Sequence, residues 1–275
     1  MKRLSALASL IACLAAPAWA DPLIYESIGA TAAAITPMRD AFREAIGGGS
    51  AAGANGSFGG LRREINWDGV PLAQSDPAAL AADFFNTTSP RGVVLSTPGT
   101  GFMVSANAGG ATPALFGFGN DFQAFSAQKL FTAVNSNITD VRFFVPGTST
   151  VATTSAFGLI FVDVETVGAA HLDFFDRNDT LIFSRDALVA GNQGLSFLGA
   201  ITDTAISRVR ITSGLNTIVS NGVLGNPNDD VVVMDDFIYA EPLAAVPEPS
   251  SFALMGIGLV GGLLWRRRSA RRTLR

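Results

Sequence analysis

The chain has 275 residues, 48% of them hydrophobic and 15% charged, enough apolar material to bury a core and too little charge for a disordered tail. One cysteine (Cys13) and one histidine (His171) exclude a disulfide framework and leave zinc and copper without a ligand set. The formal net charge of −4 hides an asymmetry: Lys2, Arg3 and six arginines from Arg266 onward leave 11 basic against 23 acidic residues between positions 21 and 265, a net of −12 that disfavours nucleic acid and acidic lipid surfaces and favours solubility or cations.

Residues 1–20 read as a secretory signal peptide. Lys2 and Arg3 give the positive start, Leu4 to Ala16 the apolar stretch, and Ala18-Trp19-Ala20 the small residues before a cut at Asp21. Two alternatives are an uncleaved anchor, for which the apolar run is short of the ~20 residues of a span, and a lipidation box at Leu10-Ile11-Ala12-Cys13. Cutting there would leave a very short apolar region before the cut.

Thr36-Pro37 followed by Met38 to Ile46 and Gly47 predicts a short helix with Thr36 as N-cap and Pro37 at the first position. A loop rich in Gly, Ala, Ser and Asn runs from Gly47 to Gly60, and Asp76-Pro77 predicts a second short helix to about Phe84. From Gly92 onward the apolar runs are short and punctuated by Gly, Pro, Asn and Asp. They predict strands at 92–96, 102–106, 129–134, 139–145, 156–165, 170–175, 180–184, 195–201, 206–211 and 231–240. Phe157 to Val162 is apolar on both faces, which marks a central strand, and Asp176-Arg177-Asn178-Asp179 marks a hairpin turn. Many short strands without βαβ alternation predict an all-β fold: an antiparallel β-sandwich of jelly-roll type with one or two short N-terminal helices.

The C-terminal stretch has three parts in order. Val246-Pro247-Glu248-Pro249 comes first, then an uncharged apolar run from Phe252 to Trp265, then Arg266, Arg267, Arg268, Arg271, Arg272 and Arg275. The run predicts a single transmembrane helix, about 21–24 Å long at ~1.5 Å per residue, with the arginines as a cytoplasmic anchor. The domain plan is a signal peptide at 1–20, an exported domain at 21–243 and a tail at 244–275. Gly256 to Gly261 satisfies G-x-G-x-x-G, and Gly258 with Gly262 gives G-x-x-x-G. Inside such a run they read as small residues of a membrane helix, since a dinucleotide fingerprint needs a strand before it.

These three parts resemble the PEP-CTERM sorting signal of Gram-negative bacteria, with Pro247, Glu248 and Pro249 at the motif's tripeptide. The resemblance implies signal peptidase and exosortase as processing partners, a membrane-tethered intermediate, delivery to the cell surface or extracellular matrix, and a setting of extracellular polysaccharide. Residues 64–240 also resemble the β-sandwich ectodomains found on such proteins, through Ile65-Asn66-Trp67-Asp68-Gly69, Asp83-Phe84-Phe85-Asn86, Ser89-Pro90-Arg91-Gly92, Phe157-Gly158 with Asp163, and Val233-Met234-Asp235-Asp236-Phe237. That second resemblance implies no established activity.

For chemistry, His171 lies in a strand pattern with no G-x-S-x-G elbow to make a triad, and no motif singles out a carboxylate pair for glycoside hydrolysis. The hard cation calcium fits the acidic residues better, with Asp235, Asp236, Asp163 and Glu165 at strand ends as candidate ligands and Asp229-Asp230 bracketing the same last strand. An Asp-Asp-apolar strand is similar to that of jelly-roll carbohydrate-binding modules, a resemblance that puts Asp236 first. Trp67, in a polar loop-like setting, is the candidate glycan contact, or else a plug at one end of the sandwich. The expectation is a non-enzymatic envelope or matrix protein associated with exopolysaccharide. The alternatives are a secreted glycan hydrolase and a purely structural surface protein.

Overall fold

A computed structural model describes residues 21–47, 53–59, 61–110, 114–219, 222–224 and 228–244. The signal peptide, the sorting tail with Pro247, Glu248, Pro249 and the arginine anchor, and part of the loop at 47–60 lie outside the described residues. Among the described residues no helix is long and apolar enough to cross a membrane.

In chain order the elements are β1 (Leu23–Gly29), α1 (Ala32–Ala45), β2 (Arg62–Ile65), α2 (Phe84–Thr87), β3 (Val93–Ser96), β4 (Gly101–Val104), β5 (Phe131–Val134), β6 (Ile138–Phe143), β7 (Ala152–Val162), β8 (Ala170–Phe175), β9 (Leu181–Asp186), β10 (Leu195–Ile206), β11 (Arg208–Ser213), β12 (Thr217–Val219), β13 (Gly222–Leu224), β14 (Val233–Ala240) and β15 (Leu243–Ala244). One antiparallel sheet runs β1-β10-β7-β14-β5-β4, with β2 and β15 added beside β14 and β7. The other runs β3-β6-β11-β8-β9. The inner strands alternate between the sheets, with β5-β14-β7-β10 facing β6-β11-β8-β9. That order is the double Greek key of a jelly roll, so the expected sandwich is the observed one.

Period-two alternation fills the space between the sheets. Phe157, Leu159 and Phe161 of β7 and Phe237 and Tyr239 of β14 meet Val141, Phe143, Leu172, Phe174, Val209 and Ile211 of the facing sheet. The other face of the first sheet is also covered. Ile35 and Phe42 of α1 and Phe122 and Leu130 of the loop before β5 pack on Ala156, Ile160, Val162 and Phe197. Strand β7 is therefore buried on both faces, as its continuous apolar run predicts.

Both helix predictions need correction. Helix α1 starts at Ala32, so Pro37 lies inside it and Thr36 does not cap it. The Thr36 hydroxyl instead donates to the Ala32 carbonyl at 2.8 Å. The upstream turn forms because alanines favour helix and because Ile35, seven residues before Phe42, extends the buried stripe. The segment after Asp76-Pro77 is not helical as far as Phe84. Its backbone runs along β4, with Asp76 N–H donating to Val104 O and Leu80 N–H to Phe102 O, and only Phe84–Thr87 makes one turn. Strands β1, β2, β12, β13 and β15 were not anticipated from the pattern; β1 reads as an edge with exposed Leu23, Ile24 and Ile28.

Candidate functional site

The jelly roll brings the C-terminal end of β7, the N-terminal ends of β10 and β14, and the loop before β14 to one rim of the sandwich. Strand β7 stops at Asp163, which takes a left-handed conformation (φ 74°). The Asp163 N–H donates to Gly194 O at 2.9 Å, and Oδ1 accepts the Gln193 N–H at 2.7 Å. Asp230 is held from its backbone: its carbonyl accepts the N–H groups of Leu215 and Asn216. Gly214 makes this possible, because at φ 84° a Cβ there would stand 2.7 Å from that carbonyl oxygen. The Asp230 side chain turns toward β7, and its Oδ2 accepts from Glu165 N–H at 3.0 Å and Thr166 N–H at 2.7 Å.

As a result, carboxylate oxygens of Asp163, Glu165 and Asp230 lie within 4.8 Å of one another. Asp163 is 6% exposed and Asp230 7%. Burial, opposed by the Gln193 hydrogen bond and reinforced by the charges of Glu165, Asp230 and Asp121, pushes Asp163 up to about 7. Asp230 Oδ1 is buried without a hydrogen-bond donor, which normally costs about 1–3 kcal/mol.

The four calcium candidates named from sequence therefore do not form one site. Asp163 and Glu165 come together with Asp230. Asp235 and Asp236 sit apart from them, for a reason in the strand itself. Asp235 pairs with Ile160 and Phe237 with Leu159, so Asp236 is the extra residue of a β-bulge. The bulge puts two successive side chains on one face, the outer one, beneath the loop before β5. There Phe125 N–H (2.6 Å) and Ser126 N–H (3.1 Å) donate to Asp235 Oδ2, and Asp236 N–H donates to Asp235 Oδ1 at 2.8 Å. The Ser126 hydroxyl reaches Asp236 Oδ1 at 2.9 Å and Asp235 Oδ1 at 3.2 Å. Burial and the adjacent like charge hold Asp235 well above the usual carboxylate range, and burial raises Asp236 despite the Ser126 hydrogen bond. With both its oxygens taken by protein donors, Asp235 is a structural latch. Sequence alone gave no sign of Ser126 as its partner.

Trp67 is 1% exposed and is the plug rather than an exposed stacking platform. Its ring lies flat on Phe131 (centroids 4.0 Å, 5° between planes) and edge-on to Phe85 and Phe237. One face is thus taken, and the residue borders a cleft of about 220 Å³ with Asn55, Asn66, Ser89 and Arg91. A second cleft of about 240 Å³, lined by Arg39, Arg43, Glu64, Phe125, Ser126 and Asp236, shares Asn66 and Arg91 with the first. The two tyrosines are also occupied. Tyr239 is buried and donates its hydroxyl to Arg91 O, and Tyr25 packs against Phe42.

His171 is better connected than its sequence context suggests. Nδ1 lies 2.6 Å from Asp186 Oδ1, and Nε2 lies 2.9 Å from Ser184 Oγ, the order of a nucleophile, base and acid. The same Nε2 also lies 2.8 Å from Asp173 Oδ1. Although burial opposes it, the hydrogen bonds to Asp186 and Asp173 raise the imidazole above its ordinary value. With Asp173 competing for the nitrogen that faces Ser184, the ring is poorly placed as a base for that hydroxyl, and none of the three residues lines either cleft.

The tail supplies the decisive comparison. Residues 245–268 match the family model of the PEP-CTERM protein-sorting motif. The chain carries a PEP-CTERM sorting motif. That motif implies processing by an exosortase and export through a membrane-anchored sorting intermediate. No curated protein matches the chain. Among solved structures it is similar to the enzymatically active domain of tailspike protein 4 of bacteriophage CBA120, at 13% identity and TM-score 0.25, over 58% of this chain and 20% of that one. The chain thus spans a fifth of that protein, and so weak a superposition bears on neither fold nor role.

Proposed function

We propose that this is a non-enzymatic protein of the cell envelope or extracellular matrix that, once sorted by the PEP-CTERM route, associates with extracellular polysaccharide. The sorting motif at 245–268 carries this reading. The body supports it in two ways. Its two adjoining clefts, about 220 and 240 Å³, fall below the roughly 300–1,000 Å³ of sites that enclose small ligands, and a third, about 340 Å³ beside Asn135, Asn137 and Asn216, stands at the low end of that range. The two adjoining clefts set Asn, Ser and Arg side chains beside aromatic ones, Trp67, Phe84 and Phe85 in the first and Phe125 in the second, a mixture that suits contact along a polysaccharide chain.

Ser184–His171–Asp186 favours a second reading, a secreted hydrolase, and Asp173 on the same nitrogen weighs against it.

The test begins with the protein from its host. Intact mass and cell fraction are measured for the natural chain and for Pro247→Ala and Glu248→Ala. A surface species starting at Asp21 and cut near Pro249, lost in both variants, supports sorting; a species that keeps Arg275 in the inner membrane in every case overturns it. Co-sedimentation with the host's polysaccharide, weakened by Arg91→Ala, supports association. Turnover of that polysaccharide, abolished by Ser184→Ala, would replace association with the second reading.

A further inference from the structure

We infer that Asp163, Glu165 and Asp230 form a binding site for one calcium ion at the rim of the sandwich, which ties the loop before β14 to the end of β7. Three observations carry this. First, the three carboxylates converge within 4.8 Å although 65 residues separate Glu165 from Asp230 in sequence. Secondly, no described Lys, Arg or His pairs with any of them; the ion pairs among the described residues lie on α1, β1, β2, β6, β8, β9, β11 and β14 and at the Asp179 turn. Asp121 adds a further negative charge to the same field. Thirdly, Asp230 is 7% exposed and its Oδ1 has no donor, while Oδ2 is fixed by two backbone N–H groups. Fixing Oδ2 leaves Oδ1 as the oxygen with no protein donor. A buried carboxylate held this firmly, with one oxygen unpaired beside two like charges, is a ligand prepared for a cation.

The chemistry selects the ion. All three donors are hard oxygens with no nitrogen or sulfur among them, which suits calcium or magnesium rather than zinc. Calcium accepts carboxylate oxygens at ~2.3–2.6 Å in irregular geometry, whereas magnesium at ~2.0–2.1 Å demands a near-ideal octahedron and keeps several waters. The three oxygens, from separate segments and within 4.8 Å of one another, offer a spacing that one calcium ion can bridge. Glu165, the exposed member, closes the site from the solvent side.

The full-length protein, purified in detergent, would be titrated calorimetrically with calcium chloride and with magnesium chloride, and melted with either salt or with a chelator. One saturable calcium site, at least tenfold tighter than for magnesium, with a higher melting temperature in calcium, is the expected result. Glu165→Gln, on an exposed residue that should fold normally, and Asp230→Asn should each weaken calcium at least tenfold. Asp203→Asn, at the far end of β10, should leave it unchanged. Absence of saturable binding up to millimolar calcium would overturn the proposal, as would equal affinity in the natural chain and Glu165→Gln. Neither result depends on how the chain is sorted.

Discussion

The ring of Phe42 on α1 rests on Gly199 of β10, where an added Cβ would stand 3.1 Å from its Cε2. Gly199 pairs directly with Gly158 of β7, and a Cβ on Gly158 would meet Gly199 Cα at 2.8 Å and Phe42 Cε1 at 3.1 Å. Two facing glycines thus make a flat seat in the sheet, and the helix is docked into it by one aromatic ring. Gly158→Ala should destabilise the domain by about 1–3 kcal/mol through overpacking. Phe42→Ala should cost about 3–5 kcal/mol by emptying the seat. Denaturant unfolding of the two variants checks both. If the Gly158→Ala cost disappears in a Phe42→Ala background, the clash is with the ring; if it persists, the clash is with the facing strand.

The paired aspartates of the β14 bulge make a prediction about pH. Arg39 and Arg43 face them from α1, Glu64 from β2, and Ser126 from the loop before β5. Both carboxyls are raised above the ordinary 3.8, so between that value and the folded one the native state holds more protons than the unfolded chain. Stability from this pair is therefore present at acid pH and is lost as pH rises through the folded values. Asp236→Asn removes one of the two like charges and keeps an oxygen for Ser126. Its melting temperature relative to the natural chain should be more favourable at pH 8 than at pH 5. An offset that does not change between the two pH values would refute the account.

His171 gives a second pH effect of the same sign. Asp173 lies two residues along its own strand, Asp186 and Ser184 face it from β9, and Arg210 of β11 pairs with Asp140 on the other side of Asp173. The raised imidazole means that its contribution is complete below about 6.5 and is lost as pH rises through the folded value. In His171→Gln the slope of stability against pH between 6 and 8 should flatten. An unchanged slope would show that the ring does not titrate with folding.

The sandwich was legible because its strands obey a two-residue period and its turns use Gly, Asp and Asn. Strand β8 falls at Ala170–Phe175 as expected, and the following hairpin is held by Asp176 Oδ1, which accepts from Asn178 N–H and Thr180 N–H. What sequence could not show are relations made by the fold across distance. Asp229-Asp230 and Asp235-Asp236 look like equivalent brackets of one strand. Whether a bracket meets β7 or a loop depends on a bulge at Asp236, which has no local signature, and on Gly214, whose glycine marks a turn but not the carbonyl that the turn approaches. Trp67 sits in a polar run because its neighbours Asp68 and Asn66 turn outward while the ring enters the core. Asp68 Oδ1 there accepts the Lys129 N–H at 3.0 Å. A run of polar letters does not report the direction of the one side chain among them that points in.

That same loop hides the only lysine after the signal peptide. Lys129 is 1% exposed, and its ammonium donates to the Val70 carbonyl and to Ser75 Oγ rather than to a carboxylate. Burial lowers its pKa, with the Asp68 charge opposing. Its burial screens this amine from reagents in solution. In the processed protein, an amine-reactive biotin ester at neutral pH should modify the new α-amino group at Asp21 and leave Lys129 untouched, while unfolding in urea should add a second label. Lys129→Met keeps the length of the chain and removes the charge; it leaves Val70 O and Ser75 Oγ without their donor, a loss of about 1–3 kcal/mol partly offset because no buried ammonium need be desolvated. Peptide mapping by mass spectrometry reads the labelling directly. Modification of Lys129 in the folded protein, at a rate close to that in urea, would mean that the loop carrying Trp67 and Asp68 opens freely and does not seal that end of the sandwich.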